Sequence, residues 1–385
     1  MSKLDQLRGN IDEIDHQIVH LFERRMAVTR AVGEYKREIG MPVLDATRER
    51  EVIAQKLKLL TNRELQADVV LLYEAIMGIS RRQQRNLVSE GRENTYFRKI
   101  VTDIARAGKP IANPRVIYQG EPGAYSEMAV IRFFGDSIKS KGLEQFEDVF
   151  LALKNGEADY GVLPIENSST GAIRQIYDLM TQHDCFVVGE TTVAIQHCLM
   201  ALPGATLDTI RTVYSHEQGL FQCERYLNEH PNWNCVPQAD TAGSANIVAQ
   251  SGDRSKAAIC SKRSAELYGL EILAEAIHSN SNNTTRFVVV SQKMELREGR
   301  DKISTCFCLP HQSGSLHEIL TIFAVHGLNM VRLESRPIQG SSWEYMFFLE
   351  FAGDVTAPGM EGVFLELTQL AEQVRVLGNF PSNLS

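Results

Sequence analysis

An arginine sits where the first helix asks for leucine. Leu4, Leu7, Ile11, Ile14, Ile18 and Leu21 alternate at spacings of three and four, and Val28, Val32, Tyr35 and Ile39 continue the series. That pattern keeps one helical face against a partner. Arg25 belongs to the same series. A buried guanidinium stays charged and is costly unless paired, so either the fold supplies a carboxylate or a ligand does. The two stripes that follow are also interrupted. Glu49 extends the stripe of Ile53, Leu57 and Leu60, and Ser80 and Gln84 take positions among Val70, Tyr73, Met77 and Leu87. Interruptions in all three imply a polar cavity inside a helical bundle. Arg8 and Lys36 lie beside the seam about 42 Å apart on a straight helix, whereas Arg25 and Lys36 are about 16 Å apart. One chain's pocket cannot use both Arg8 and Lys36. An antiparallel dimer, in which Arg8 of one chain reaches the Arg25–Lys36 pocket of the other, resolves this. Such a pocket suits a small dianion bearing a hydroxyl.

Further polar constellations follow. Gly120-Glu121-Pro122-Gly123-Ala124-Tyr125-Ser126 makes a strand-to-helix turn, which can offer backbone N–H groups to an anion or be an ordinary tight turn. Pro164-Ile165-Glu166-Asn167-Ser168-Ser169-Thr170-Gly171 ends a strand, and its plainer reading is helix capping by Ser169 or Thr170. Asn283-Thr284-Thr285-Arg286-Phe287 begins a later strand. His197 and His216 read more simply as core or surface residues than as ligands.

The elements that must position these residues fall into three regions. Residues 1 to about 90 read as helix, with Asp45 or Thr47 able to cap the second one. Residues 91–114 are a polar linker with a helical stretch at about 96–107. Residues 115–294 alternate short apolar runs with helical segments, an α/β pattern whose sites belong at strand ends. Residues 300–380 follow the order βαββαβ of a ferredoxin-like α+β domain.

The chain has 385 residues, enough for several domains. A net charge of −8 argues against nucleic acid as a partner. The charged start MSKLDQLRGN is no signal peptide, and no apolar run is long enough for a membrane span. The seven cysteines form no C-x-x-C motif and read as reduced thiols, so no structural zinc or other metal is expected and the location reads as cytoplasmic.

Leu7-Arg8, Arg24-Arg25, Val32-Gly33 with Lys36, Asp45 with Arg48-Glu49, and Ser80 with Gln84 resemble the all-helical chorismate mutase family over residues 4–85. The resemblance implies an intertwined three-helix domain and a pericyclic rearrangement of chorismate to prephenate, with no covalent intermediate and no cofactor. It implies that Arg25 and the partner's Arg8 grip the substrate carboxylates with help from Arg48. Lys36 and Gln84 would donate to the ether oxygen, Glu49 with Asp45 would bind the ring hydroxyl, and Ser80 would lie near a carboxylate.

Over 115–292, GEPGAYS, PIENSSTG, His197-Cys198-Leu199, Tyr214-Ser215-His216, Ala265 to Leu270 and Thr285-Arg286-Phe287 resemble the prephenate dehydratase family. This implies a two-lobed, periplasmic-binding-protein-like domain, with lobes at about 115–191 plus 270–294 and at 192–269. Water and CO2 leave prephenate to give phenylpyruvate. Thr285 is then a hydrogen-bond donor to the leaving oxygen, and Glu166, if burial raises its pKa, a proton donor. Ser126, Asn167, Ser169, Thr170 and Arg286 would bind substrate, Arg286 alternatively being a structural ion-pair partner.

Gly314-Ser315-Leu316-His317 and Glu334-Ser335-Arg336-Pro337 resemble the regulatory ACT domain of prephenate dehydratases, with His317 departing from an apolar family position. Gly314, Ser315, Leu316, Glu334, Ser335 and Arg336 would then bind phenylalanine as feedback inhibitor between paired copies. The whole reads as a multidomain, homodimeric or larger bifunctional enzyme. Its rivals are an enzyme with a failed dehydratase cleft and a two-lobed ligand sensor with a helical dimerisation arm.

Overall fold

The N-terminal region consists of α1 (Lys3–Ile39), α2 (Ala46–Leu59), a 3-10 turn (Arg63–Leu65) and α3 (Gln66–Ser89). The computed structural model describes residues 2–89, 95–280, 282–312, 314–338 and 344–382. Ser2 opens α1 with a capping box: its hydroxyl accepts from the Asp5 N–H at 3.1 Å and its own N–H donates to the Asp5 carboxylate at 2.8 Å. Gly40, at φ 69°, ends the helix in the left-handed conformation that favours glycine.

The apolar seam of α1 does not face α3. Leu7, Ile14, Leu21, Val28 and Tyr35 are each 52–65% exposed in the single chain. Instead α3 approaches the adjoining face, where Thr29 and Gly33 are buried. Glycine makes that approach possible, because a Cβ on Gly33 would lie 2.9 Å from Gln84 Cγ. Arg25 borders both faces, so it reaches α3 while the seam beside it stays uncovered.

The segment read as a linker holds α4 (Thr95–Ala105). It belongs to the C-terminal domain: Ile100 is 2% exposed and shares a core with Phe307, Phe323, Phe351 and Leu367. Phe97, Ile100 and Ile104 form a helical stripe whose partners are 200 residues away in the chain, beyond the reach of a local reading.

The α/β region comprises β1 (Val116–Gln119), α5 (Tyr125–Phe134), β2 (Ser140–Leu143), α6 (Phe146–Lys154), β3 (Tyr160–Asn167), β4 (Gly171–Ala172), α7 (Arg174–Gln182) and β5 (Phe186–Ala194). There follow β6 (Cys198–Ala201), β7 (Thr212–His216), α8 (Glu217–Gln222), α9 (Glu224–Asn228), β8 (Asn234–Gln238), α10 (Thr241–Ser251), β9 (Lys256–Cys260), α11 (Lys262–Tyr268), β10 (Glu271–Ala274) and β11 (Thr284–Ser291). The first lobe has sheet order β2-β1-β3-β11-β5, with β4 on β3, and the second has β10-β6-β9-β7-β8. The chain crosses between lobes twice, after β5 and after β10. The expected return at 270 is therefore too early. Ile272 pairs with Met200 of β6, which keeps β10 in the second lobe, and the return lies within 275–283.

The C-terminal domain runs β12 (Lys302–Cys308), α12 (Ser315–Val325), β13 (Met330–Pro337), β14 (Tyr345–Ala352), α13 (Met360–Leu370) and β15 (Glu372–Phe380), in sheet order β13-β14-β12-β15. One sheet face packs on α12 and α13. The other supplies Cys306, Phe348, Leu377 and Phe380 to a core shared with Phe150, Leu163 and Tyr177 of the first lobe. Two domains thus share one apolar interior, and a displacement of this sheet is felt by β3 and α7.

Candidate active sites

The polar residues of the helical stripes converge. Arg25 Nη1 donates to Ser80 Oγ at 2.6 Å, and Ser80 donates to the Ile76 carbonyl at 2.7 Å. Among the described residues Arg25 has no carboxylate partner. Gln84 is 8% exposed and its side-chain oxygen is buried without a hydrogen bond. Buried polar atoms are seldom left unmet, so an unmet amide beside an unpaired guanidinium marks a place for a ligand. Lys36 Nζ donates to the Val43 carbonyl at 2.6 Å, which holds the ammonium at the turn between α1 and α2. Glu49 is held by Arg81, a residue the sequence reading passed over.

Asp45 and Arg48 lie at the start of α2. Asp45 caps α2, its carboxylate accepting from the Arg48 N–H at 2.9 Å. The Arg48 guanidinium lies outward, 3.5 Å from Glu51, with both side chains more than half exposed. These are the contacts the two residues make in the single chain. The first turn of a helix needs a cap, and an i,i+3 pair on the open face satisfies the arginine. Arg8 is exposed on α1.

In the α/β region Asn167 is the hub. Its Oδ1 accepts from the N–H groups of Ser169 at 2.9 Å and Thr170 at 3.1 Å, so these two residues shape the loop after β3. Its Nδ2 donates to Thr285 Oγ1 at 2.9 Å and to Asn283 Oδ1 at 2.7 Å. Asn283 in turn donates to Gln222 Oε1 at 2.8 Å. Gln222 ends α8 in the second lobe, so the network crosses between lobes. Gln222 lies in no motif and gave no signal in the sequence. Thr285 accepts from Asn167, which leaves its own hydrogen free to donate into the cleft. Ser126 is buried in the first turn of α5, beside Tyr125 in the chain. The turn before it is a docking element. Gly123 donates to Glu127 at 2.8 Å, and its carbonyl accepts from Ser261 at 2.7 Å and Ser264 at 3.1 Å in the second lobe. A Cβ on Gly123, at φ 91°, would lie 2.8 Å from Ser264 Oγ.

His197, at the hinge after β5, is 2% exposed and joins Tyr125 at 3.2 Å to Gln222 at 2.8 Å. Burial pushes its pKa down to about 4, from 6.5. A lowered histidine value means that the unfolded chain takes up the proton first as pH falls. The contribution of this site is complete above pH 6.5 and is lost progressively towards pH 4, by about 3 kcal/mol. Denaturant titration between these values should show that slope in the native chain and a flatter one in His197→Gln.

Arg286 and Glu166 do not enter the cleft. Thr285 pairs with Asn167 and Arg286 with Glu166 across β11 and β3, and neighbouring residues on a strand point to opposite faces. Thr285 and Asn167 share the cleft face. Arg286 and Glu166 therefore point to the face that the C-terminal sheet covers. Arg286 is 6% exposed and donates to Glu350 at 2.7 Å and 3.1 Å and to Glu190 at 2.9 Å. Its pKa is raised: burial opposes the charge, and Glu350 and Glu190 outweigh it. Glu190 also takes Lys302 at 2.6 Å. Glu166 pairs with Arg332 of β13 and lies 3.6 Å from Arg286. It lies on the face opposite Thr285, which removes it from the proton path. The substrate-binding expectation for Arg286 and the proton-donor expectation for Glu166 are both corrected.

In the C-terminal domain, Cys308, Met346 and Arg336 stand in register across β12, β14 and β13. This places Glu334, Ser335 and Arg336 at the sheet end where Gly314, Ser315 and Leu316 open α12. Arg336 donates from Nε and Nη2 to the Asp178 carboxylate of α7, at 2.9 Å and 2.7 Å. The edge strand β13 presents Val331, 44% exposed, and Leu333, 39% exposed.

Residues 7–85 match the family model of chorismate mutase type II, and residues 116–295 that of prephenate dehydratase. The bifunctional chorismate mutase/prephenate dehydratase of Escherichia coli (strain K12) is 33% identical, over 98% of this chain and 95% of its own. The structure of a prephenate dehydratase in complex with L-Phe from Arthrobacter aurescens is 30% identical with a TM-score of 0.64, covering 70% of this chain and 90% of that one. GqqA, described as a novel type of quorum quenching acylase, is 31% identical with a TM-score of 0.64, covering 70% of this chain and 98% of that one. Two family models in series, and a relative matched almost end to end, place the chain in the family of bifunctional chorismate mutase/prephenate dehydratases.

Proposed function

We propose that the chain rearranges chorismate to prephenate in the helical pocket and converts prephenate to phenylpyruvate in the cleft at Thr285, under feedback inhibition by L-phenylalanine. The observation that carries the mutase half is the part-buried Arg25 guanidinium, bonded to Ser80 and to no carboxylate among the described residues. Chorismate carries two carboxylates, a ring hydroxyl and an ether oxygen. Arg25 with Ser80 binds one carboxylate, and the partner's Arg8 the other. Glu49 accepts from the hydroxyl, and Lys36 with Gln84 donates to the ether oxygen as its bond breaks. The uncovered seam of α1 supports the second chain that this arrangement needs.

In the cleft, the Asn167 amide fixes Thr285 so that its hydroxyl donates to the departing oxygen of prephenate. Aromatisation drives the loss of water and CO2. Regulation is supported by the L-Phe complex of the Arthrobacter structure and by the meeting of α12's start with Glu334-Ser335 at the exposed edge β13. That edge suits pairing of two βαββαβ ACT domains.

Timed product analysis tests the whole reading. Supplied chorismate is expected to appear as prephenate and then phenylpyruvate, with L-phenylalanine slowing phenylpyruvate formation. Absence of either product removes that half of the proposal.

A further inference from the structure

Arg81 follows Ser80 on α3 and so points about 100° away from it, out of the pocket and towards a second domain. Its Nη1 donates to Glu49 on α2, and its Nε donates to Glu318 on α12 at 2.6 Å. The other oxygen of Glu318 accepts from Arg85 at 3.2 Å, one turn further along α3. Beside them, Arg82 donates to Glu366 on α13 at 2.9 Å, and Glu366 also meets His326 at 3.2 Å. Three arginines of α3 thus meet carboxylates on both helices of the C-terminal domain. The central contact is screened from water: the side chains of Arg81, Glu49 and Glu318 are 17%, 25% and 19% exposed.

We infer that Arg81 positions Glu49 for the mutase reaction and, through Glu318, couples that carboxylate to the start of α12. The inference rests on the reading of Glu49 as the acceptor of the substrate's ring hydroxyl. A glutamate has three side-chain torsions to fix, and a cation on one oxygen selects an orientation that leaves the other to the hydroxyl. Arg81 is shared between two anions, so a shift of Glu318 changes its hold on Glu49. Glu318 sits one helical turn from Ser315, where the amino-acid site is proposed. A ligand that moves α12 there acts on Glu49 through the Arg81 guanidinium, without any change to the fold of either domain.

The test uses the full-length chain and measures both activities, with and without L-phenylalanine. The ring hydroxyl is present in substrate and transition state alike, so Arg81→Met is expected to raise KM for chorismate about tenfold and change kcat by less than about threefold. Arg81→Lys should recover part of the loss, and the dehydratase should be unaffected. Glu318→Gln should leave the mutase constants within about twofold when phenylalanine is absent, abolish the response of the mutase to phenylalanine, and preserve that of the dehydratase. A wild-type KM in Arg81→Met, alongside a raised KM in Glu49→Gln, overturns the positioning role and leaves the reading of Glu49 standing. A harmless Glu49→Gln overturns that reading and the inference with it. Equal loss of both activities in Arg81→Met, not rescued by lysine, assigns the residue to folding and overturns the inference. A mutase in Glu318→Gln that responds to phenylalanine as the wild type does overturns the coupling.

Discussion

Arg25→Ala is expected to lower mutase kcat/KM about 1,000-fold, the scale on which removing one member of a desolvated, hydrogen-bonded ion pair acts. The substrate carboxylate would be left buried without its cation, while Ser80 keeps its bond to the Ile76 carbonyl and preserves the packing of α3. Stability should therefore change little, and dehydratase activity on added prephenate should match the wild type. Arg25→Lys tests geometry against charge. Lysine keeps the cation but loses the planar fork, so partial recovery of about tenfold is expected. Chorismate turnover in purified variants, with prephenate turnover as internal control, decides the matter. Undiminished chorismate turnover in Arg25→Ala would mean that the helical region is a dimerisation arm, and the mutase assignment of this pocket would fall.

Thr285→Val should lower phenylpyruvate formation about 100-fold with little change in the affinity for prephenate, since a donor to a leaving oxygen acts chiefly in the transition state. Valine fills the same volume but accepts nothing from Asn167, and one buried N–H then goes unmet at a cost of about 1–3 kcal/mol. Thr285→Ser keeps donor and acceptor and should retain most of the rate. Chorismate turnover should be indifferent to all of these changes. A valine variant with full dehydratase activity would remove Thr285 from the chemistry and leave it as part of the clasp among Asn167, Asn283 and Gln222.

The legible part of the molecule was the part with local periodicity. The stripes that hold Arg25, Glu49, Ser80 and Gln84 are read from helical spacing, and Arg25 meets Ser80 because it borders the face that α3 takes. The order of the C-terminal elements was legible for the same reason. Asn167 and Thr285 stood out as members of polar runs at strand ends. Arg81 did not, because an arginine on α3 is unremarkable until Glu49 and Glu318 are placed beside it. Arg332, Glu190, Lys302 and Glu350 were passed over likewise, although charged residues inside apolar strand runs are a signal that could have been followed. The lobe boundary near 270 failed because β10 is a short run whose partner, β6, is not adjacent in sequence.

By itself the sequence determined that Thr285 and Arg286 point to opposite faces of β11, and Glu166 and Asn167 to opposite faces of β3. It could not determine which of those faces is the cleft. That was decided when the C-terminal sheet covered one side and left the other to the second lobe, a choice made by contacts far apart in the chain. The helical region divides in the same way. Spacing put Arg25 on a buried stripe, and only tertiary packing showed that Gly33 lets α3 take the adjoining face and leaves the leucine seam open. Side-chain direction is local geometry, whereas the identity of whatever lies opposite a side chain depends on the whole fold.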